Sequence, residues 1–142
     1  MLRALSSMQR YHTCNVSIGR TTLNAYIADS GIKKMLGLMF WDHIGKKECM
    51  LFRFGRMSRQ GIWMLNMHMS IDVMWLDDKF KIVDCAEALQ PCGSIWNCRT
   101  YYPKADAMYV IETASGFVKS NKVKVGMHAL VGKTRKRTIS PR

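Results

Sequence analysis

The sequence predicts a mainly β (α+β) protein: a compact antiparallel sheet or small barrel-like fold with one or two short helices. Three observations carry this. Six to eight short segments rich in β-branched and aromatic residues alternate along the chain. Turn residues such as Gly19–Arg20 and "DDK" separate them, and Pro103 and Gly132 punctuate the long loop and the start of the tail. Only "DSGIKKMLGL" joins helical spacing to a capping residue.

In chain order, residues 15–28 alternate on both sides of Gly19–Arg20 and predict a hairpin. Asp29 or Ser30 can then accept an unpaired backbone N–H and start a helix over residues 30–38. Ile32, Met35 and Leu36 share one face of it at i, i+3 and i+4. "CMLFRF" at residues 49–54 is a strand, and "GRMSRQG" a loop.

Next comes "IWMLNMHMSIDVMWLDD", residues 62–78. "IWMLN" and "IDVMWLD" both carry β propensity. In the second, Asp72, Met74 and Leu76 fall on one side, and Ile71, Val73 and Trp75 on the other. Both sides are mostly apolar, which predicts a central strand covered twice. "DDK" turns the chain and "FKIVDCAEAL" returns beside it. "QPCGSIWNCRTYYPKADA" is a loop of the length that tends to be functional or mobile. "MYVIET" is a strand, "GFVKSNKV" one helical turn and "VGMHALVG" a short closing strand.

A chain of 142 residues is one domain with tails: a flexible lead-in at 1–13, a β-rich domain at 14–132 and a basic tail at 133–142. The 48% hydrophobic and 23% charged composition is that of a globular protein able to bury a core. Twelve methionines make that core adaptable. No run of 18 apolar residues and no signal-peptide pattern appears, which predicts a cytoplasmic chain without a membrane span. The five cysteines would then be reduced by default, and their odd number argues against a purely structural disulfide framework.

The pieces recur together in a known family. "GLMFW" resembles its "GLM-aromatic-Arg" element, and "CMLFRF" its "GMLFxF" strand. "IWMLNMHMSIDVMWLD" is similar to "FWMKNTxIPLDIxFID". "QPCGSIWNC" with "TYYP" resembles a proline–cysteine loop found in part of the family. "AMYVIETASGF" and "VKVGMHALV" resemble "AxYVLELPAGF" and "IKxGDxV". Order and spacing agree from about residue 15 to 131, so the chain resembles the domain-of-unknown-function 192 family, also called uncharacterised protein family 0127. The resemblance implies a compact β-rich fold and no reaction. Trp63, Met64, Asn66, Asp72, Tyr109 and Glu112 match the family pattern. Trp41, Leu65, Met67, Ser70 and Met127 replace its arginine, lysine, threonine, proline and late aspartate.

Four groups are candidate sites. Trp63, Asn66 and Asp72 combine an indole, an amide and a carboxylate, as a small polar ligand pocket requires. Against that, Asn66 can shape a turn and Asp72 can bond a neighbouring backbone N–H. Met64, Met67, His68 and Met69 resemble soft copper(I) ligands, but strand alternation would scatter them, and no metal site is assigned. Cys92 and Cys98 are redox or disulfide candidates, without the Cys-x-x-Cys spacing of a redox enzyme. Lys133, Arg135, Lys136 and Arg137 could bind phosphates, or form a solvated tail. The formal net charge of +12 favours anionic partners generally.

No Gly-x-Ser-x-Gly, phosphate loop or His-Glu-x-x-His is present, and no cofactor is implied. The leading expectation is a non-catalytic binding module for an unknown small ligand or protein partner, with its pocket near Trp63. The alternatives are a nucleic-acid-associated accessory protein acting through its basic tail, and a thiol redox protein using the Cys92–Cys98 loop.

Overall fold

The structure is a computed structural model that describes the backbone of residues 1–139 and the side chains of residues 1–136. Among the described residues, eight strands form one sheet in the order β5-β4-β6-β3-β2-β1-β7, with β8 also paired to β1. They are β1 (Tyr11–Ile18), β2 (Thr21–Ala28), β3 (Glu48–Ser58), β4 (Ile71–Leu76), β5 (Ile82–Leu89), β6 (Ala107–Ala114), β7 (Ala129–Val131) and β8 (Arg135–Ile139). Three short helices accompany them among these residues: α1 (Leu2–Met8), α2 (Gly31–Leu36) and α3 (Phe117–Ser120).

The predicted hairpins form where the sequence places them. β1 pairs β2 across Gly19–Arg20, with Gly19 in the left-handed region (φ 59°). β4 pairs β5 across the Asp77–Phe80 turn, where one Asp77 oxygen accepts from the Lys79 and Lys81 amides. That bonding replaces the glycine the turn lacks. Ser30 caps α2 by accepting from the Lys33 N–H at 3.3 Å.

The sheet is mixed rather than wholly antiparallel. β2 and β3 run parallel, from Asn24↔Glu48 to Ala28↔Phe52. Parallel neighbours need a crossover, and here it carries α2 and residues 37–47. At the other edge, Ile82 donates to the Met127 carbonyl, and Gly126 donates back to Ile82, both at 2.8 Å. The Lys81↔His128 bridge adds to this seam and curls the sheet into a half-barrel.

Every residue of β4 is buried. Met74 and Leu76 join one apolar cluster, with Val16, Leu51, Ile111 and α3. Ile71, Val73 and Trp75 join the other, with Tyr26, Trp41, Met50 and Phe52. The two faces are therefore distinct compartments. One is closed by α3, the other by α2 and the segments around residues 38–44 and 60–69.

Four expectations change. Residues 2–8 form α1 instead of a loose lead-in, and the buried Ser6 hydroxyl donates to the Met39 carbonyl at 3.0 Å. "IWMLN" is not a strand, because Asn66 adopts φ 58° and breaks extension, leaving only the single bridges Ile62↔Tyr101 and Leu65↔Cys92. β3 continues through "GRMS" with a register irregularity after Arg53. Part of the basic tail is β8, paired to β1 at Tyr11↔Ile139 and Thr13↔Arg135. The Arg137 side chain and Arg142 lie outside the described residues.

Candidate functional site

Asp72 does not reach a pocket. It is fully buried on the α3 face of β4. One carboxylate oxygen accepts from the Ala88 N–H at 2.8 Å, and the other from Gly116 at 3.1 Å and Val118 at 2.9 Å. Both oxygens are committed to backbone donors of two separate segments. Ala88 needs such support because its φ is 51°, strained for an L-residue. The candidate ligand role of Asp72 is thus replaced by a structural one, a carboxylate that ties α3 and β5 to the sheet.

Asn66 is also structural. Its left-handed backbone turns the 62–69 segment, its carbonyl accepts from the Phe40 N–H at 2.9 Å, and its amide nitrogen lies 3.9 Å from the Met39 sulfur. These contacts fasten residues 38–41 to residues 62–67. Trp75 adds a second tether, its indole N–H donating to the Gln60 carbonyl at 2.7 Å.

Between the fastened segments lies a cavity of about 240 Å³, lined by residues of α2, Gly37 to Met39, Phe52, Gly61 to Trp63, Met67 and Glu112. Trp63, 37% exposed, forms part of its wall. Of the three residues first grouped there, Trp63 lines the cavity, Asn66 holds its walls together, and Asp72 lies across the sheet.

The acid in the cavity is Glu112, which sequence reasoning left out of the site. On β6 it sits in register between Met50 of β3 and Val73 of β4. It is 5% exposed, and its Oε2 has no hydrogen-bond partner among the described residues. Burial in apolar surroundings pushes its carboxyl up to about 8, so the group holds its proton at neutral pH. The signal for it was a single acid inside the apolar alternation of "MYVIET", already noted as a family match. Gly37 makes the approach possible: its φ is 49°, and a Cβ there would stand 3.1 Å from the Phe52 ring.

Cys92 and Cys98 are joined as a disulfide, with Cα atoms 5.4 Å apart. The Cys92 N–H donates to the Met64 carbonyl at 3.2 Å, which anchors the 90–106 loop beside the pocket segment. A second cavity of about 210 Å³ lies there, lined by Met64, Pro91, Cys92, Asn97, Arg99 and Tyr101 among others. The remaining cysteines are poor nucleophiles. Burial raises the Cys14 and Cys49 thiols, and burial with nearby acids pushes Cys85 up to about 11.

"MLNMHM" does not follow strand alternation, because Asn66 turns the backbone within it. Met64 and Met67 are buried, while the His68 ring lies 3.3 Å from Asp42 at the surface. Among the described residues, no three His, Cys, Asp or Glu side chains converge as a metal site would require. In the tail, Arg135 donates to the side-chain oxygens of Asn15 and Asn24, both at 3.0 Å, and so is spent on the sheet edge. Lys133 and Lys136 are exposed. No helix among the described residues is long and apolar enough to cross a membrane.

Comparison with known proteins identifies the family and the fold. The family model DUF192, described as "Uncharacterized ACR, COG1430", matches residues 14–130. A UPF0127 protein of Pyrococcus horikoshii is 39% identical over 105 residues, spanning 70% of this chain and 80% of that one. A UPF0127 protein of Thermococcus gammatolerans is 32% identical over 100 residues, 70% of this chain and 61% of that one. Among solved structures, a Sinorhizobium meliloti protein provisionally named a transcription regulator superposes with a TM-score of 0.78 at 22% identity. That match covers 85% of this chain and 95% of the other, and it establishes a shared fold.

Proposed function

The chain belongs to the DUF192 family of uncharacterised proteins, and from that premise we propose that it is a non-catalytic binding module whose small ligand enters the pocket over Glu112. One observation carries the reading: Glu112, whose buried Oε2 has no hydrogen-bond partner among the described residues, lines a cavity of about 240 Å³. Leaving such a group unpaired costs about 1–3 kcal/mol, which a ligand can recover. Aromatic and aliphatic walls from Phe52, Trp63, Leu38 and Met67, with the few polar groups of Glu112 and Lys34, are of the composition that small-molecule sites use. The volume, about 240 Å³, is below the drug-sized range and fits a small ligand or the end of a larger one. The test is amide chemical-shift mapping of the full chain against a set of small polar compounds. Binding is expected to perturb Gly37, Trp63 and Met67 together, and to weaken in Trp63→Ala. Shifts scattered over the surface, or none, would remove the pocket from consideration.

A second reading has its own support. The Cys92–Cys98 pair closes a loop beside a cavity, so a dithiol could reduce it to two thiols while itself becoming a disulfide. This reading makes the 90–106 loop a redox-opened cover next to Met64. Mass-spectrometric thiol counting across a series of dithiol/disulfide ratios tests it. A midpoint near that of cellular dithiol couples supports a switch, and resistance to all of them leaves a structural cross-link.

A further inference from the structure

We propose that the occupant of the Glu112 pocket is a small organic cation, an ammonium or guanidinium group, that pairs with the Glu112 carboxylate and lies against Trp63 and Phe52. This rests on the pocket reading above and names its ligand class.

Counter-charge is the first argument. Among the described residues Glu112 makes no ion pair and no hydrogen bond through Oε2. A buried acid of this kind is neutral only while nothing positive stands beside it. An incoming cation supplies the missing charge in a poorly solvated site, where the attraction is strongest. The walls argue the same way. Trp63 and Phe52 both line the cavity, and aromatic surface attracts cations through its ring quadrupole. Size agrees: about 240 Å³ equals roughly eight water volumes, enough for a guanidinium or a methylated ammonium head.

The charges around the acid are few. Its strand neighbours, Met50 and Val73, are apolar. From α2, Lys34 is the charged lining residue, and its ammonium lies 5.4 Å from the centroid of the Phe54 ring. From β3, Glu48 shares the face of Met50 but is held by the Tyr26 hydroxyl and the Gly45 N–H. From the covering loops, residues 37–39, 61–63 and 67 bring no ionisable side chain, and the His68–Asp42 pair lies at the outer surface.

The proposal has a linkage signature. Binding a cation ionises Glu112, so one proton leaves as the cation enters. Affinity for a cation that does not itself titrate rises about tenfold per pH unit below the acid's own pKa, then levels above it.

The experiment uses the full chain and simple probes: guanidinium and tetramethylammonium chlorides as cations, acetamide as a neutral acceptor and acetate as an anion. Each is titrated at fixed ionic strength from about pH 6 to about pH 9, with binding followed by the Gly37 and Trp63 amides. The expected result is cation binding that strengthens about tenfold per unit up to about pH 8 and then flattens. Calorimetry in two buffers of different ionisation heat should show nearly one proton released per cation at neutral pH, a readout that needs no variant. Glu112→Gln should weaken the cations at least tenfold and abolish the pH slope. Acetamide binding best, and weakening above about pH 8, would overturn the cation but keep the pocket, with Glu112 acting as an O–H donor. Acetate binding best, and weakening in Lys34→Gln, would overturn it in favour of an anion. No probe perturbing Gly37 or Trp63 would overturn the cation and the pocket together.

Discussion

Gly37 and Glu112 meet at the floor of one cavity: a Cβ on residue 37 would stand 3.8 Å from Oε2 of Glu112. The same Cβ would press on Phe52 at 3.1 Å, and φ 49° already disfavours any side chain. Gly37→Ala is therefore expected to destabilise the protein by about 1–3 kcal/mol and to narrow the pocket. Denaturant unfolding measures the first effect and probe titration the second. An unchanged midpoint with full binding would show that the glycine is incidental.

Glu112 should leave a mark on stability against pH. Its folded pKa lies above its unfolded value, so the native state holds the proton more tightly. Stability from this group is complete below the ordinary glutamate range, falls as pH rises towards about 8, and stays lost above that. Glu112→Gln removes the titration. The variant should gain on the parent between about pH 5 and about pH 8, by an amount measurable as a divergence of the two stability curves. Parallel curves would mean an ordinary, solvated carboxylate.

Asp72 is expected to matter for folding and not for binding. Asp72→Ala strands three backbone donors, at Ala88, Gly116 and Val118, at a cost of about 3 kcal/mol or more in total. Asp72→Asn keeps one acceptor oxygen and should lose less. A normal melting temperature for Asp72→Ala, combined with loss of probe binding, would reverse the assignment.

The disulfide loop is short, so its cross-link stabilises modestly. Cys92→Ser should leave the protein folded and lower its stability by roughly 2 kcal/mol at most. Thermal melts of oxidised parent, reduced parent and variant decide this. A large drop would mean that the loop anchors the Met64 segment more strongly than its single N–H bond indicates.

What was legible in the sequence was local. The two hairpins and the Ser30 cap depend on residues a few positions apart, and alternation placed Asp72 and Val73 on opposite faces of β4. The parallel β2–β3 pair was not legible, because its strands carry no mark of direction and are joined through a crossover. α1 was missed since "LRALSSM" has no side-chain N-cap, and its anchor at Met39 lies 33 residues away. The site was half legible. Trp63 was named from the sequence and lines the cavity, its ligand role being a proposal, and the bonding of Asp72 to backbone N–H groups was weighed there as the alternative to a ligand role. The partners of Asp72, 16 to 46 residues distant, were not. Glu112 read only as a family match, because its burial appears once α2 and residues 61–67 fold over β6. Arg135 read as a free cation of the tail, although its bonds to Asn15 and Asn24 tie it to strands more than 100 residues earlier.

The proposed pocket requires Glu112 to be a neutral acid whose Oε2 has no partner among the described residues. Carboxyl ¹³C NMR of the full chain, titrated without ligand and assigned by difference from Glu112→Gln, tests it most directly. One glutamate resonance should titrate with its midpoint at about 8, moving down when guanidinium is present. A midpoint in the ordinary carboxylate range, indifferent to guanidinium, would contradict it.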